Sequence, residues 1–347
     1  MTSKERVQMT IDHKEADRVP ICATYVPEID KQLRDRYQCY NDDVGVLLGN
    51  DMVKIASGLE NSFYLSDEPE YVDPYGITWK NVYNSTGHYT EIYDHPLRAE
   101  DADVSVVKMP DANKDEKVLK AVKEAVEKYG KEKWIIGSCQ CSIFEAAWYM
   151  RGIEQFLMDM IVDEDFTNEL LDTVMTYPLQ MGLNFIDAGV DMVWLGDDVA
   201  TQIDMLFSPE LFRKYLKPRY AMIFEAYRKR NPNIKLCYHS CGNLEKVIPD
   251  LIDIGLDVLN PIQPSAMDVA HIKKTYGDKL TLYGGMDVQK VLPFGTAQDV
   301  RDEVKRLIQI CAPGGGYILS PAHHIQSDTS MENVDAFYEA WKEFGSY

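Results

Sequence analysis

From Lys131 onward the chain alternates two kinds of apolar segment. Short runs rich in Val, Ile, Leu, Tyr and Trp stand at Trp134–Ser138, Asp191–Leu195, Ile234–His239, Leu256–Asn260, Leu280–Gly284 and Tyr317–Ser320. Their length and residue types predict buried strands. The longer stretches between them read as helices: Asp165–Ala188, Pro209–Arg230, Leu244–Ile254, Met267–Tyr276 and Ala297–Ile310, with a last one at Met331–Phe344. Ser208 before Pro209 predicts a helix start, since the hydroxyl caps a free N–H and proline at the first position has no bond to lose. Strands alternating with helices imply parallel βα units. Two earlier strand candidates, Ile21–Tyr25 and Met52–Ile55, bring the count to eight, so the predicted fold is α/β, a (β/α)8 TIM barrel. An open doubly wound sheet is the alternative, but no Gly-x-Gly-x-x-Gly turn follows the first strand.

The stretch Asn61–Pro96 interrupts this alternation with many Tyr residues, Trp79, Asp73-Pro74 and Tyr75-Gly76. It predicts a Tyr-rich N-terminal insertion of short strands and turns, spanning about residues 61–110. It is either a surface hairpin or a wall over the barrel mouth. No low-complexity linker divides the sequence, which predicts a single domain over residues 1–347.

Charge narrows the function classes. The chain carries 36 Lys and Arg against 56 Asp and Glu, a formal net charge of -20. A nucleic-acid binder needs a basic footprint, and an anionic membrane attracts basic surfaces, so neither is an expected partner. No apolar run reaches the roughly 20 residues of a membrane span. Met1 to Val19 has no apolar signal-peptide core, and the expected location is cytoplasmic. The 7 cysteines have no regular spacing, so they are expected as thiols or metal ligands rather than disulfides.

In a barrel of this kind, chemistry sits where strands end and βα loops begin. The predicted strand ends carry Cys139 and Cys141, Asp197 and Asp198, His239 and Cys241, Asn260 and Gln263, Met286 and Asp287, and His323 and His324. In an extended segment, residues two apart face the same side, so His239 and Cys241 can reach one metal ion. Imidazole with thiolate favours zinc. A buried Cys beside a hydrogen-bonded His is the structural alternative. His323 is a candidate third ligand, with Cys139 and Cys141 as rivals. Of the adjacent carboxylates, only one of Asp197 and Asp198 need face the pocket; Asp198 is a candidate acid/base group, and a helix cap is the alternative role. Glu145 opens an otherwise apolar helix, where its pKa would rise or where it would contact a metal; a favourable charge in the first helical turn is the alternative.

Several stretches of the chain resemble the uroporphyrinogen decarboxylase superfamily. They are Glu5-Arg6-Val7, Asp17-Arg18-Val19-Pro20, Asp73-Pro74-Tyr75-Gly76, His95-Pro96-Leu97, Gly196-Asp197-Asp198, His239-Ser240-Cys241-Gly242-Asn243, Asp257 to Pro264, and Leu319-Ser320-Pro321-Ala322-His323. The resemblance implies a (β/α)8 barrel with its site at the C-terminal mouth. It also implies one of two chemistries: cofactor-free decarboxylation, or zinc-dependent methyl transfer with a corrinoid protein. The decarboxylases carry an arginine-rich stretch after the first strand to grip a polycarboxylate. Here Ala23 to Asp30 has no arginine and two acids, which weighs against that substrate. The methyltransferases use His-x-Cys and a later Cys on zinc. His239 and Cys241 match the first two, and His323 stands at the later position.

The resemblance therefore implies a methyltransferase with Zn2+ held by His239, Cys241 and His323. Its corrinoid (cobalamin) would be carried by a partner protein, since no Asp-x-His-x-x-Gly corrinoid motif occurs in this chain. Its small-molecule methyl donor or acceptor would be a methoxylated aromatic, a methylamine or a thiol. Asp198, Glu145 and Tyr149 are the candidate catalytic groups. Gln263, Asp287, Trp148 and Tyr25 are the candidate substrate-binding residues. Family members often dimerise, so a homodimer is within the expectation. A decarboxylase for a smaller, less acidic substrate and a non-catalytic barrel that binds a tetrapyrrole or corrinoid partner are the alternatives.

Overall fold

The computed structural model describes residues 1–85, 87–99 and 101–347. Ten strands are numbered in chain order: β1 Met52–Ala56, β2 Glu70–Val72, β3 Thr78–Tyr83, β4 His88–Asp94, β5 Trp134–Gln140, β6 Met192–Gly196, β7 Lys235–His239, β8 Val258–Ile262, β9 Thr281–Met286 and β10 Tyr317–Pro321. Seven of them form one parallel sheet in the order β1-β5-β6-β7-β8-β9-β10, with helices between successive strands. The remaining three form an antiparallel sheet, β2-β3-β4, inside the predicted insertion. No helix among the described residues is long and apolar enough to cross a membrane.

Seven of the eight expected barrel strands are present; Ile21–Tyr25 is not a strand. It makes only isolated parallel bridges, Ile21 with Leu319 and Tyr25 with Ile325. Toward β1, side chains occupy the positions a ladder would use. Asp51 Oδ2 accepts from the Ile21 N–H at 2.9 Å, and Asn50 Oδ1 accepts from the Ala23 N–H at 3.0 Å. Pro20 has no N–H to give. The segment therefore spans the two edges of the sheet without completing an eighth strand.

Two predicted helices divide. Asp165–Ala188 becomes Glu164–Val174 and Thr176–Ala188, with Pro178 in the first turn of the second. Pro209–Arg230 starts at the Ser208 cap, passes through a π turn at Phe212–Leu216 and resumes at Lys217, with Pro218 in its first turn. A proline lacks the N–H that the preceding turn would bond, so each helix restarts just before it.

Period-two alternation fixes which side chains lie on the inner face of the curled seven-stranded sheet. Met52, Ile136, Met192, Cys237, Val258 and Ile318 pack together on it, and Val7 and Ile11 of the helix Ser3–Ile11 join the same cluster. Their neighbours one residue along, among them Val53, Ile135, Val193, Leu236, Leu259 and Leu319, belong instead to the larger core shared with the helices.

The insertion is built on Asp73. This buried carboxylate accepts from the Tyr75 and Ile77 N–H groups, from Trp79 Nε1 at 2.9 Å and from the Ser62 hydroxyl at 2.7 Å. Trp79 and Phe63 then pack edge-on against Tyr149, with ring centroids 5.8 and 6.3 Å apart. The insertion is thus a wall behind the helix Phe144–Arg151, which carries Glu145.

Candidate metal centre

His239 ends β7, two residues beyond the inward-facing Cys237, and so faces into the barrel. Its Nδ1 lies 2.7 Å from Asn260 Oδ1 of β8. The amide oxygen can only accept, so Nδ1 carries the proton and Nε2 presents a bare lone pair. That lone pair faces Cys241 Sγ at 3.7 Å and Asp198 Oδ1 at 3.6 Å. Asp198 is itself held by the Cys241 N–H at 2.7 Å. Among the described residues, Asp198, His239 and Cys241 form the one group of three whose ligand atoms all lie within 4.8 Å of one another.

Two glycines make this convergence possible. A Cβ on Gly196, at the end of β6, would meet the His239 carbonyl oxygen at 2.1 Å. A Cβ on Gly242, where φ is +90°, would meet the Thr201 and Ala200 carbonyl oxygens at 2.5 and 2.6 Å. The loops after β6 and β7 can close on each other only without those side chains.

The donor set fits a zinc ion. Tetrahedral Zn–S and Zn–N bonds of about 2.3 and 2.0 Å place S and N about 3.5 Å apart, close to the observed 3.7 Å. Burial pushes the Cys241 thiol well above its usual range, and the Asp198 and Glu145 carboxylates add to it. Burial holds His239 low, against the pull of Asp198. A divalent cation would reverse the first effect and uses the imidazole in its neutral state.

The adjacent aspartates divide their roles. Asp197 accepts from the Ile143 and Glu145 N–H groups at 2.9 and 3.0 Å and from the Tyr220 hydroxyl. It anchors the start of the helix Phe144–Arg151 and faces away from the cluster's ligand atoms, whereas Asp198 faces them. Glu145 is buried. Tyr149 donates to its Oε1 at 3.0 Å, and its Oε2 has no partner. Burial raises its carboxyl well above the ordinary range, reinforced by Asp198 and Asp197.

His323 is not in the three-residue cluster. It lines the cavity beside His239, and enclosure there together with His239 holds it down at about 4. Cys139 Sγ lies 3.3 Å from the Ser57 hydroxyl and Cys141 Sγ 3.5 Å from the Tyr149 hydroxyl, so neither joins the cluster. Each barrel strand gives this cavity an inward side chain: Lys54, Gln140, Trp194, His239, Asn260, Tyr283 and Ser320.

None of the four expected substrate-binding residues is among the lining. Tyr25 hydrogen-bonds the Tyr338 hydroxyl, and Trp148 packs edge-on against Tyr149. Gln263 accepts from the Gly242 N–H at 2.7 Å and so supports the cysteine loop. Asp287 accepts from the Gln289 and Lys290 N–H groups in its own turn. Lys54 and Trp194 were not anticipated in the lining. Counting back two residues at a time from each strand end would have found them.

Comparison with known proteins gives three findings. The uroporphyrinogen decarboxylase (URO-D) family matches residues 2–344. The methylcobamide:CoM methyltransferase MtaA of Methanosarcina barkeri is 27% identical over 227 residues, covering 65% of this chain and 63% of that protein. The methylcobamide:CoM methyltransferase MtbA of Methanosarcina acetivorans is 26% identical over 230 residues, with the same coverage of 65% and 63%. The match thus spans a little less than two thirds of the length of these relatives. Among solved structures, a methyltransferase from Methanosarcina mazei shares the fold, with a TM-score of 0.76 at 21% identity over 99% of both chains.

Proposed function

Because the chain belongs to the uroporphyrinogen decarboxylase family, and because its mouth holds a zinc-type donor set, we propose that it is a zinc-dependent methyltransferase. It moves a methyl group between a small substrate and a corrinoid protein. The observation that carries this reading is the convergence of Asp198, His239 and Cys241 within 4.8 Å, with His239 Nε2 left bare by the Nδ1 bond to Asn260. Decarboxylation of a polycarboxylate has less support: Lys54 is the one lysine or arginine in the cavity lining, and several carboxylates need more than one cation to hold them.

Asp198, His239 and Cys241 would hold the zinc, which would supply a Lewis acid to stabilise a substrate thiolate or draw charge from a leaving group. The remaining work falls to the chain. Asn260 fixes the tautomer and plane of His239. The Cys241 N–H fixes the Asp198 carboxylate beside it. Burial and the Asp198 and Asp197 carboxylates raise the Glu145 carboxyl well above its ordinary range, Tyr149 donates to Oε1, and Oε2 has no partner, so the group is placed to carry a proton at Oε2. From there it gives a proton to a leaving group, or, when ionised by a nearby cation, takes one from an entering thiol. The insertion, through Trp79 and Phe63, keeps water from the back of Tyr149.

Metal analysis of purified protein tests this reading. Near-stoichiometric zinc is expected in the wild type and its loss in His239→Ala and Cys241→Ser. Methyl transfer to free cob(I)alamin, or from methylcobalamin, is expected from the wild type alone. A metal-free protein that is fully active would refute the proposal.

A further inference from the structure

Away from the metal ligands, a cleft of about 590 Å³ opens between the insertion and the helices Glu116–Tyr129 and Thr176–Ala188. Its lining is mostly apolar: Leu65, Pro74, Tyr75, Pro110, Val118 and Tyr177. Gly58 keeps it open. With φ at +66°, a Cβ there would meet the Tyr177 ring at 2.9 Å and stand 3.4 Å from the Tyr75 hydroxyl. Beyond Gly58, Tyr75 and Tyr177, which line both spaces, a smaller cavity continues to Met109, Cys139 and Cys141.

The two tyrosines of this cleft differ. Their rings pack edge-on, with centroids 5.9 Å apart. Tyr177 gives its hydroxyl proton to Asp115 Oδ2 at 3.1 Å. Tyr75 is only 6% exposed, yet its hydroxyl has no hydrogen-bond partner among the described residues. Burial raises the phenol and keeps the proton on it. A buried hydroxyl without a partner is costly, and one beside an open cleft is placed for a ligand that brings the acceptor. Charge sets a second condition. Asp115 is already met by the Val118 N–H and by Tyr177, and Lys117 at the rim is exposed to water. A charged ligand would be desolvated here without gaining a buried counter-ion.

We propose that this cleft is a second ligand site, for a small neutral aromatic carbonyl compound. Its ring lies among Leu65, Pro74, Pro110 and Val118, and its oxygen accepts from the Tyr75 hydroxyl. The site joins the insertion to the parallel sheet. Ser62, also in the lining, donates to Asp73, on which the insertion is built. The turn Gly58–Ser62 carries Glu60, which bonds Lys54 of β1 and Ser138 of β5. A molecule seated there braces the insertion against the strand ends from outside the cavity that His239 faces. The site does not rest on the methyltransferase reading.

Calorimetric titration of the full chain tests the proposal with acetophenone, with α-methylstyrene, which has the same shape without the oxygen, and with benzoate. We expect acetophenone to bind about three- to tenfold more tightly than α-methylstyrene, the worth of one neutral hydrogen bond, and more tightly than benzoate. Tyr75→Phe keeps the ring and deletes the hydroxyl, so it should bring acetophenone down to α-methylstyrene. Leu65→Trp, at a half-exposed position, fills the cleft without touching the core and should remove binding of both. His239→Ala should leave both affinities unchanged. Acetophenone should also slow proteolytic cleavage within residues 61–110, and unchanged cleavage at saturation overturns the bracing role. Equal affinity for acetophenone and α-methylstyrene, tighter binding of benzoate, or a preference that survives Tyr75→Phe overturns the assigned ligand class. Binding that persists in Leu65→Trp, or that is lost in His239→Ala, overturns the site itself.

Discussion

The inner face of the curled seven-stranded sheet has two levels that differ in chemistry but share a geometry. On β1 the inward residue passes from Met52 to Lys54, on β7 from Cys237 to His239, on β8 from Val258 to Asn260 and on β10 from Ile318 to Ser320. Each step is two residues, one pleat repeat, so the backbone presents both levels alike. The lower level packs with Val7 and Ile11 and has no polar atom to satisfy on those aliphatic side chains. The upper level holds groups that lower-level packing could not tolerate: a lysine, imidazoles and an amide. The lesson is that apolar packing and polar groups are assigned here by height along the strand rather than by element.

The sharpest way to break that comparison is to truncate each level in turn. Ile136 is fully buried in the lower level, and Ile136→Ala should cost about 2–5 kcal/mol of unfolding free energy through lost burial and a residual cavity. Denaturant titration measures this, and zinc per folded molecule should not change. Asn260→Ala, in the upper level, should lower zinc affinity about 10–100-fold, because the tautomer of His239 is no longer fixed. Its effect on the metal-free unfolding free energy should be about 1–3 kcal/mol, from the imidazole N–H it strands. If Ile136→Ala loses metal while folded, or Asn260→Ala leaves affinity untouched, the two levels are not separable.

The adjacent aspartates repeat the contrast within one loop. Asp197→Ala strands two N–H groups and the Tyr220 hydroxyl, and should destabilise the fold by about 1–3 kcal/mol or more. Asp198→Ala should weaken zinc binding while leaving metal-free stability within about 1 kcal/mol of wild type. Thermal unfolding beside metal analysis separates the two, and an exchange of those outcomes would reverse the assignment.

Much of this was legible in the residues, for identifiable reasons. Seven barrel strands could be read because buried parallel strands are near-continuous apolar runs. Ile21–Tyr25 looks the same in composition, but its ladder positions are taken by Asp51 and Asn50, and side-chain competition from 27 to 30 residues away leaves no mark on a local pattern. His239 and Cys241 were legible because they lie two apart in one segment. Asp198 was read as an acid/base group and is found in the donor cluster, because its approach to Cys241 depends on Gly196 and Gly242 bringing two loops together. Lys54 escaped notice although its parity with Met52 is plain, since a lysine inside a barrel is costly unless paired, and its partner Glu60 lies beyond the strand.

Glu145 gives the smallest effect and the finest test of how the upper level is balanced. Its carboxyl is held well above the ordinary range by burial and by Asp198 and Asp197, so the folded protein keeps a proton that the unfolded chain releases near its usual value of about 4.3. Between those two values the native state binds more protons than the unfolded state, and stability falls as pH rises. Glu145→Gln keeps an acceptor for Tyr149 and never ionises. In metal-free protein the variant should match the wild type below about pH 4 and exceed it increasingly as pH rises, which unfolding titrations across pH would record. Zinc at Asp198, His239 and Cys241 should shrink the gap, because a cation beside Glu145 stabilises the carboxylate and lowers the carboxyl back toward its ordinary range. Superimposable pH profiles for the two metal-free proteins would mean that Glu145 does not hold this proton, and the proton-donor role assigned to it would fall with that result.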